Sequence, residues 1–289
     1  MPHATILPAL PLGRISGEPM DSYLYDPGVG GHALWHLHSK CPAYAWARSF
    51  ANPKREPDDG SRAREFGTAL HMLVLEGPAK FHAHYIAKPE GLSFSTKDGK
   101  AWRDAAAGRI ILPAEDAAMI INIAQAVANH PDARRVLART EREVSLYATD
   151  EATGLRIKTR PDALSAWMAI NIKTTADAEP RAWKRQAIKL GYHVSQAMTA
   201  RVMGALGMDA LPYLFLVVEK ARNPIVQLYE LDDTLALLGE QIVDRSLRQW
   251  ARCAESGVWP AYRDGVWRIG ADKWDLDDIE RMQNEGDDE

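Results

Sequence analysis

The run AWMAINIKTT combines residue types that could bind a divalent cation and a phosphate group from a single strand. Successive side chains of a β-strand point to opposite faces, so Asn171 and Lys173 share one face while the isoleucines beside Asn171 point into apolar packing. One run earlier, Asp162 ends the stretch RIKTRPD. Oxygen donors are the ligands that Mg²⁺ prefers, and a nearby lysine can offset phosphate charge. The spacing therefore predicts a metal-dependent phosphodiester site on two adjacent strands.

Basic side chains precede Asp162 on the same predicted face, namely Arg160, Lys158 and Arg156. A row of this kind suits the phosphates of a DNA backbone. A pattern of an acid followed two residues later by a lysine is short, however. In this chain an asparagine, Asn171, stands at the position of the acid before Lys173. A hairpin with an exposed charged face is the alternative interpretation of these residues.

The elements that would position these residues follow from the periodicity. Residues 61–77 predict an amphipathic helix, because apolar side chains recur at helical spacing and Gly77 marks its end. From residue 143 the period becomes that of strands, and EVSLYATD, GLRIKTRPDAL and AWMAINIKTT predict a three-strand meander. Two helices (179–189 and 191–206), the strands YLFLVVEK and PIVQLYEL and a long helix (232–256) follow. This order indicates an α/β (α+β) fold in which a central mixed sheet is flanked by helices.

Composition and charge divide the chain into three parts. Residues 1–29 are rich in proline and glycine and predict an irregular segment, 30–274 a single domain, and 275–289 an acidic tail. The tail carries eight acids and one arginine, so the net charge of −4 for the whole chain becomes +3 without it. A mildly basic body is compatible with a nucleic-acid partner.

Other function classes are disfavoured by simple absences in the sequence. The two cysteines, Cys41 and Cys253, are far apart, which excludes a zinc ribbon or a four-cysteine iron–sulfur cluster built from this chain alone. No apolar run reaches the roughly 18 residues of a membrane span. The first residues lack a basic leader, so a cytoplasmic location is expected.

Five collinear segments carry a resemblance to a known family: FGTALHMLVLE, TEREVSLYAT, RIKTRPD, INIKTT and GYHVSQA. Together with STKDGKAW and VWPAY, they resemble the RecE-type exonucleases, relatives of exonuclease VIII within the PD-(D/E)XK nuclease superfamily. The resemblance spans residues 20–275. It implies the nuclease core of that superfamily, with its central mixed sheet.

The resemblance also implies roles for individual residues. Asp162 would be the central metal ligand, with Asn171 and the backbone carbonyl of Ile172 as others. His71 would be a further ligand or would support a ligand from behind. Glu143 would be the upstream acid that positions the attacking water, and Lys173 would orient that water and stabilise charge on the phosphate.

The helical segment GYHVSQA implies contacts with DNA. Gln196 would reach the DNA backbone or the catalytic lysine, and Tyr192 lies one turn before it. Arg160 and Lys158 complete the expected DNA-binding set. Trp102 and Trp183 could also stack on frayed bases, although core packing is the alternative for these aromatic side chains.

The implied activity is metal-dependent hydrolysis of linear double-stranded DNA from 5′ ends, leaving 3′ overhangs for recombination. Mg²⁺ is the implied cofactor, and Mn²⁺ is expected to substitute. The implied partners are double-stranded DNA ends, a single-strand annealing recombinase, and other copies of the chain in a homo-oligomeric ring. A phage, prophage or bacterial origin fits this setting.

Asn171 departs from the family, which has aspartate or glutamate at this position, and a neutral amide weakens a metal site. Three explanations stay open: an introduced Asp→Asn change that traps substrate, a natural homologue that binds DNA ends without cutting, or slow cleavage with the metal on Glu143 and His71. The first is favoured because Lys173 is retained. A PD-(D/E)XK endonuclease, a nuclease of the CRISPR-adaptation type and a regulatory protein without a nucleic-acid role are the rival interpretations.

Overall fold

A computed structural model describes residues 9–55, 60–262 and 265–277. Helices and short strands alternate through the first half. In chain order they are β1 (Gly13–Ile15), α1 (Met20–Tyr25), α2 (Gly31–Ser39), α3 (Pro42–Arg48), α4 (Arg62–His71), α5 (Pro78–His84), β2 (Tyr85–Ala87), α6 (Lys97–Ala105), β3 (Ile110–Leu112), α7 (Ala114–Asn129) and α8 (Pro131–Leu137). A π-helical turn, Met72–Glu76, extends α4.

The second half contributes most of the sheet structure. Its elements are β4 (Glu141–Arg142), β5 (Ser145–Thr149), β6 (Arg156–Thr159), β7 (Ala163–Leu164), β8 (Ala169–Thr175), α9 (Pro180–Lys189), α10 (Tyr192–Ala205), β9 (Tyr213–Glu219), β10 (Val226–Tyr229) and α11 (Asp233–Ser256). The order of strands and helices after residue 143 confirms the expected α/β class with a mixed sheet.

Five strands form the central sheet in the order β10-β9-β8-β7-β4, where β8 and β9 are parallel and the other pairs are antiparallel. Alternate residues of β8 and β9 point to two separate apolar layers. Ile170 and Ile172 pack with residues of α4, α7 and α8, while Phe215 and Val217 pack with residues of α2, α10 and α11. The central sheet is therefore buried on both faces. The apolar packing predicted for Ile170 and Ile172 is confirmed.

The predicted three-strand meander is wrong in its connectivity. β5 and β6 pair with each other in a second sheet of order β1-β5-β6, whereas β7 belongs to the central sheet. The run GLRIKTRPDAL is thus divided between two sheets at Arg160, Pro161 and Asp162. Proline has no N–H to donate to a ladder, which explains a break at this point.

The expectation of an irregular segment over residues 1–29 is also wrong for the part that the structure describes. β1 pairs antiparallel with β5, and α1 follows it. Asp26 forms an ion pair with Arg156 at 2.7 Å, and the Lys158 ammonium donates hydrogen bonds to three carbonyls at the end of α1. Buried polar contacts, rather than an apolar pattern, order this segment.

Several smaller expectations can be compared directly with the structure. Helix α4 begins at a Ser61 side chain that caps the Arg64 N–H, and the helical run ends at Gly77, whose φ is +88°. Cys41 and Cys253 are free and buried. Among the described residues, no helix is long and apolar enough to cross a membrane. Most of the predicted acidic tail, from residue 278 onward, lies outside the described residues.

Candidate metal centre

Three side chains from different elements converge where the two sheets part. His71 is the last residue of α4, Glu143 lies between β4 and β5, and Asp162 precedes β7. Each offers one ligand atom, and these atoms lie within 4.8 Å of one another. Throughout the described ranges, this is the one group of three or more such side chains close enough to hold a metal ion. The π-helical turn directly after His71 is a feature that is frequent at functional sites.

Asp162 lies at the centre of this group and is 8 % exposed. Its Oδ2 accepts a hydrogen bond from the Ile172 N–H at 2.6 Å, and His71 Nδ1 lies 3.4 Å from Oδ1. Burial alone would raise the pKa of this carboxyl, but the charges of His71 and Lys173 outweigh burial and lower the pKa below its usual value. The carboxylate is therefore ionised and oriented at neutral pH, as a metal ligand must be.

The charge of Asp162 affects the pKa of both His71 and Glu143. Burial lowers the pKa of the His71 imidazole, but the Asp162 carboxylate dominates and leaves that pKa raised. Burial and the negative charge of Asp162 raise the pKa of Glu143, against the opposing effect of Arg160. Carboxylates gathered this closely repel one another, so a cation between them relieves the repulsion.

Glu143 has an uncommon backbone conformation, with φ of +53°. Its N–H donates to the Asp162 carbonyl at 3.0 Å, which ties the end of β4 to the residue before β7. A positive φ is strained for glutamate, and such strain clusters at active sites. The conformation brings the Glu143 carboxylate to Asp162 instead of continuing the strand.

Asn171 and Lys173 lie on β8, beside Asp162. Asn171 is 9 % exposed, and its Oδ1 accepts a hydrogen bond from the Asp162 N–H at 3.3 Å. The Asn171 amide is thus placed to orient Asp162. In the family that the sequence resembles, an acid is expected at this position. The Lys173 ammonium lies 5.3 Å from the ring centroid of Tyr192, close enough for a cation–π contact.

The predicted helix residues lie on α10. Tyr192 is partly buried and stacks on Phe215, so it contacts the lysine from within the core. Gln196 has a buried Oε1 without a hydrogen-bond partner in the described structure. A buried acceptor of this kind is rare. Contact of Gln196 with DNA or with Lys173 stays a prediction, as does a role for the Ile172 carbonyl in metal binding.

The structure corrects the prediction of a row of phosphate-binding side chains. Lys158 is 7 % exposed and donates its hydrogen bonds to the end of α1. The Arg160 side chain is 6 % exposed and pairs with Glu143, while Arg156 pairs with Asp26. The arginines pair with acids and Lys158 donates to carbonyls inside the protein, because the N-terminal segment packs over β6 and the residue that follows it.

The predicted stacking of aromatic side chains on DNA is corrected in part. Trp183 is 2 % exposed and packs between Tyr192 and Tyr229 in the core. Trp102 stacks on Phe94 in the region of α6. Core packing, the alternative considered for these side chains, therefore applies to Trp183.

Two residues near the site were not recognised in the sequence. Glu18 accepts hydrogen bonds from the Tyr147 hydroxyl at 2.8 and 3.0 Å, and its backbone carbonyl accepts one from Arg160 at 2.8 Å. Ser145 accepts a further bond from Arg160 at 3.0 Å. Glu18 lies in a proline- and glycine-rich stretch without periodicity, so no sequence signal marks it.

Comparison with known proteins agrees with the fold described above. The family described as "PDDEXK-like domain of unknown function (DUF3799)" matches residues 32–266. A crystal structure of a candidate exonuclease from Eubacterium rectale superposes with a TM-score of 0.61 at 13 % identity, covering 86 % of this chain and 92 % of that one. At this identity the likeness concerns the fold. No curated protein matches the sequence.

Proposed function

Because the chain belongs to the PDDEXK-like family, whose fold is that of a nuclease, we propose that it is a metal-dependent DNA exonuclease acting on linear double-stranded DNA. The observation that carries the proposal is the convergence of His71, Glu143 and Asp162 within 4.8 Å, beside Lys173. The charge of Lys173 acts on both Asp162 and His71, so a cationic group accompanies the possible ligands.

The donor set fits a divalent ion. Two carboxylates and one imidazole suit Mg²⁺ or Mn²⁺, with the nitrogen ligand shifting preference toward Mn²⁺. When bound, the ion supplies an acidified water and neutralises phosphate charge. The ionised state of Asp162 and the hydrogen bond from Ile172 keep one carboxylate in place for it.

Lys173 acts on the phosphate and on the attacking water. Its ammonium lies near Asp162 and His71, over the ring of Tyr192, which restrains the flexible side chain. From there it can orient the water and oppose the charge that builds on the phosphate. Gln196, with its unpartnered Oε1, completes the proposed contacts on the side of α10.

Asn171 affects the rate of DNA cleavage that we propose. Two carboxylates and an imidazole converge beside it, so we propose slow cleavage with the metal on His71, Glu143 and Asp162. We propose digestion from 5′ ends, cytoplasmic action, a homo-oligomeric ring and a partnership with a single-strand annealing recombinase, all by the family resemblance of the motifs around these residues. Non-cleaving binding of DNA ends is the second candidate, favoured by the neutral amide of Asn171.

A time course on 5′-phosphorylated linear duplex DNA tests the proposal, with covalently closed circular duplex as control. Mg²⁺ and Mn²⁺ are compared, and Asp162→Asn serves as the variant that lacks the central ligand. Release of nucleotides from linear DNA by the unaltered chain, absent in Asp162→Asn, is expected. Cleavage of circular DNA indicates an endonuclease instead. Tight binding of ends without cleavage, in either metal, indicates the second candidate.

A further inference from the structure

The guanidinium of Arg160 connects the candidate metal centre to the N-terminal segment. Its Nε donates to Glu143 Oε2 at 2.8 Å, its Nη1 to Ser145 Oγ at 3.0 Å and its Nη2 to the Glu18 carbonyl at 2.8 Å. Arginine presents its donors in a rigid planar fork, so three partners in different directions fix its orientation. The side chain is 6 % exposed, and water does not compete for these bonds.

Glu143 depends on that fork for its position. Its backbone is set by the positive φ and the bond to the Asp162 carbonyl, but its side chain has several rotatable bonds beyond that point. Arg160 is the hydrogen-bond partner that the structure gives to its carboxylate. With Oε2 held by Arg160, the other carboxylate oxygen stays available to a cation between Asp162 and His71.

The N-terminal segment supplies the support behind Arg160. Glu18 precedes the region that matches the family, residues 32–266, and is 7 % exposed. The Tyr147 hydroxyl holds its carboxylate from the sheet side, and the Tyr23 ring lies 5.6 Å from the Arg160 guanidinium. A chain of contacts therefore runs from residues 18–23 through Arg160 to a proposed metal ligand.

We infer that Arg160 is a positioning residue for metal binding: anchored by Glu18 and Ser145, it holds the Glu143 carboxylate in the orientation that a divalent cation requires. The inference rests on the proposed function and deepens it. Groups that orient a metal ligand contribute to affinity without touching the ion, and their removal typically costs about 10- to 100-fold in affinity.

A double-mutant cycle on Mn²⁺ binding, measured by titration calorimetry without DNA, tests the inference. The proteins are the full-length chain, Arg160→Gln, Glu143→Gln and the double variant. Each single change is expected to weaken Mn²⁺ binding about 10- to 100-fold. Because Arg160 acts through Glu143, the double variant is expected to bind no more weakly than Glu143→Gln, whereas independent effects would add.

A matched control distinguishes the loss of a positioning role from the general effect of breaking a buried ion pair. Arg201 pairs with the fully buried Asp150 at 2.6 Å, away from the three proposed ligands. Arg201→Gln is expected to lower thermal stability while leaving Mn²⁺ affinity unchanged. If Arg160→Gln does not fold, Arg160→Lys keeps the cation but cannot bond three partners, and weakened Mn²⁺ binding is expected there too.

The outcomes are distinct from those of the proposed function. Additive losses in the cycle overturn the inference, and so does wild-type Mn²⁺ affinity in Arg160→Gln or Arg160→Lys. Both results leave the metal centre itself intact. Failure of the unaltered chain to bind Mn²⁺ or Mg²⁺ at all overturns the proposed function instead.

Discussion

Asn171→Asp changes one charge and little else in the site. The two side chains have the same shape, and the oxygen that accepts the Asp162 N–H at 3.3 Å is kept. The position is 9 % exposed, so solvent screens the new charge only weakly. Any change in metal affinity or stability can therefore be assigned to electrostatics.

Without metal, the new carboxylate faces the acids of the site. Asn171 Oδ1 accepts from the Asp162 N–H, which places the new charge beside that acid. Like charges on the order of 5 Å apart interact by about 3 kcal/mol at an effective dielectric constant of about 20. The nearby cations, Lys173 and His71, offset part of this repulsion. We expect the metal-free protein to lose about 1–3 kcal/mol of unfolding free energy, and roughly 2–4 °C in Tm per kcal/mol.

With metal, the same charge becomes favourable. An additional carboxylate attracts a divalent ion, and the bound ion relieves the repulsion between that carboxylate and Asp162. We expect the Kd for Mn²⁺ to fall about 10- to 100-fold, equivalent to about 1.4–2.8 kcal/mol. Cleavage of linear duplex DNA is expected to become faster in parallel.

Thermal unfolding with and without Mn²⁺, together with titration calorimetry, measures both effects. Asn223→Asp, an exposed position in the turn between β9 and β10, is the matched control and is expected to change neither quantity. A variant that is destabilised without metal but gains no affinity refutes the reasoning, because the carboxylate then does not face the ion. Unchanged stability and unchanged affinity refute it equally.

Further predictions concern the lysine, one close helix contact and one buried acid. Lys173→Met is expected to slow cleavage about 10²- to 10³-fold while Mn²⁺ affinity by calorimetry stays equal or rises; a parallel loss of affinity contradicts this role. Gly239→Ala puts a methyl 2.3 Å from a backbone carbonyl of α10 and is expected to cost about 1–3 kcal/mol in thermal unfolding, whereas Gly204→Ala, with nothing within 4 Å, should not destabilise. Burial raises the pKa of Asp26, but hydrogen bonds from Arg156 and two backbone N–H groups outweigh burial and lower that pKa. The stabilisation by the Asp26 carboxylate is therefore complete above the unfolded-state pKa of about 4 and is lost as the pH falls below that value. Asp26→Asn is expected to unfold about 3 kcal/mol more easily at neutral pH and to show a shallower acid loss; an unchanged acid profile contradicts this account.

Local patterns in the sequence predicted the elements that carry the site. Alternation around Ile170 and Ile172 identified β8, and helical spacing identified α4 up to Gly77, because these periodicities are set by the chain geometry itself. Collinear motifs predicted a RecE-type member of the PD-(D/E)XK superfamily, and the match over residues 32–266 confirms the PD-(D/E)XK likeness. Asp162, Glu143 and His71 were named as site residues from those motifs, and the fold brings their ligand atoms within 4.8 Å.

The sequence alone, then, determined the elements that carry the site, which side chains could bind a metal, and that one acid of the motif is an asparagine. Tertiary structure decided what surrounds them. The basic residues Arg160 and Lys158 looked suited to DNA, yet the N-terminal segment buries both, and Glu18 contacts Arg160 from 142 positions away. Burial of a charge requires a partner, and that partner can lie anywhere in the chain because the fold, not the spacing, brings the two together.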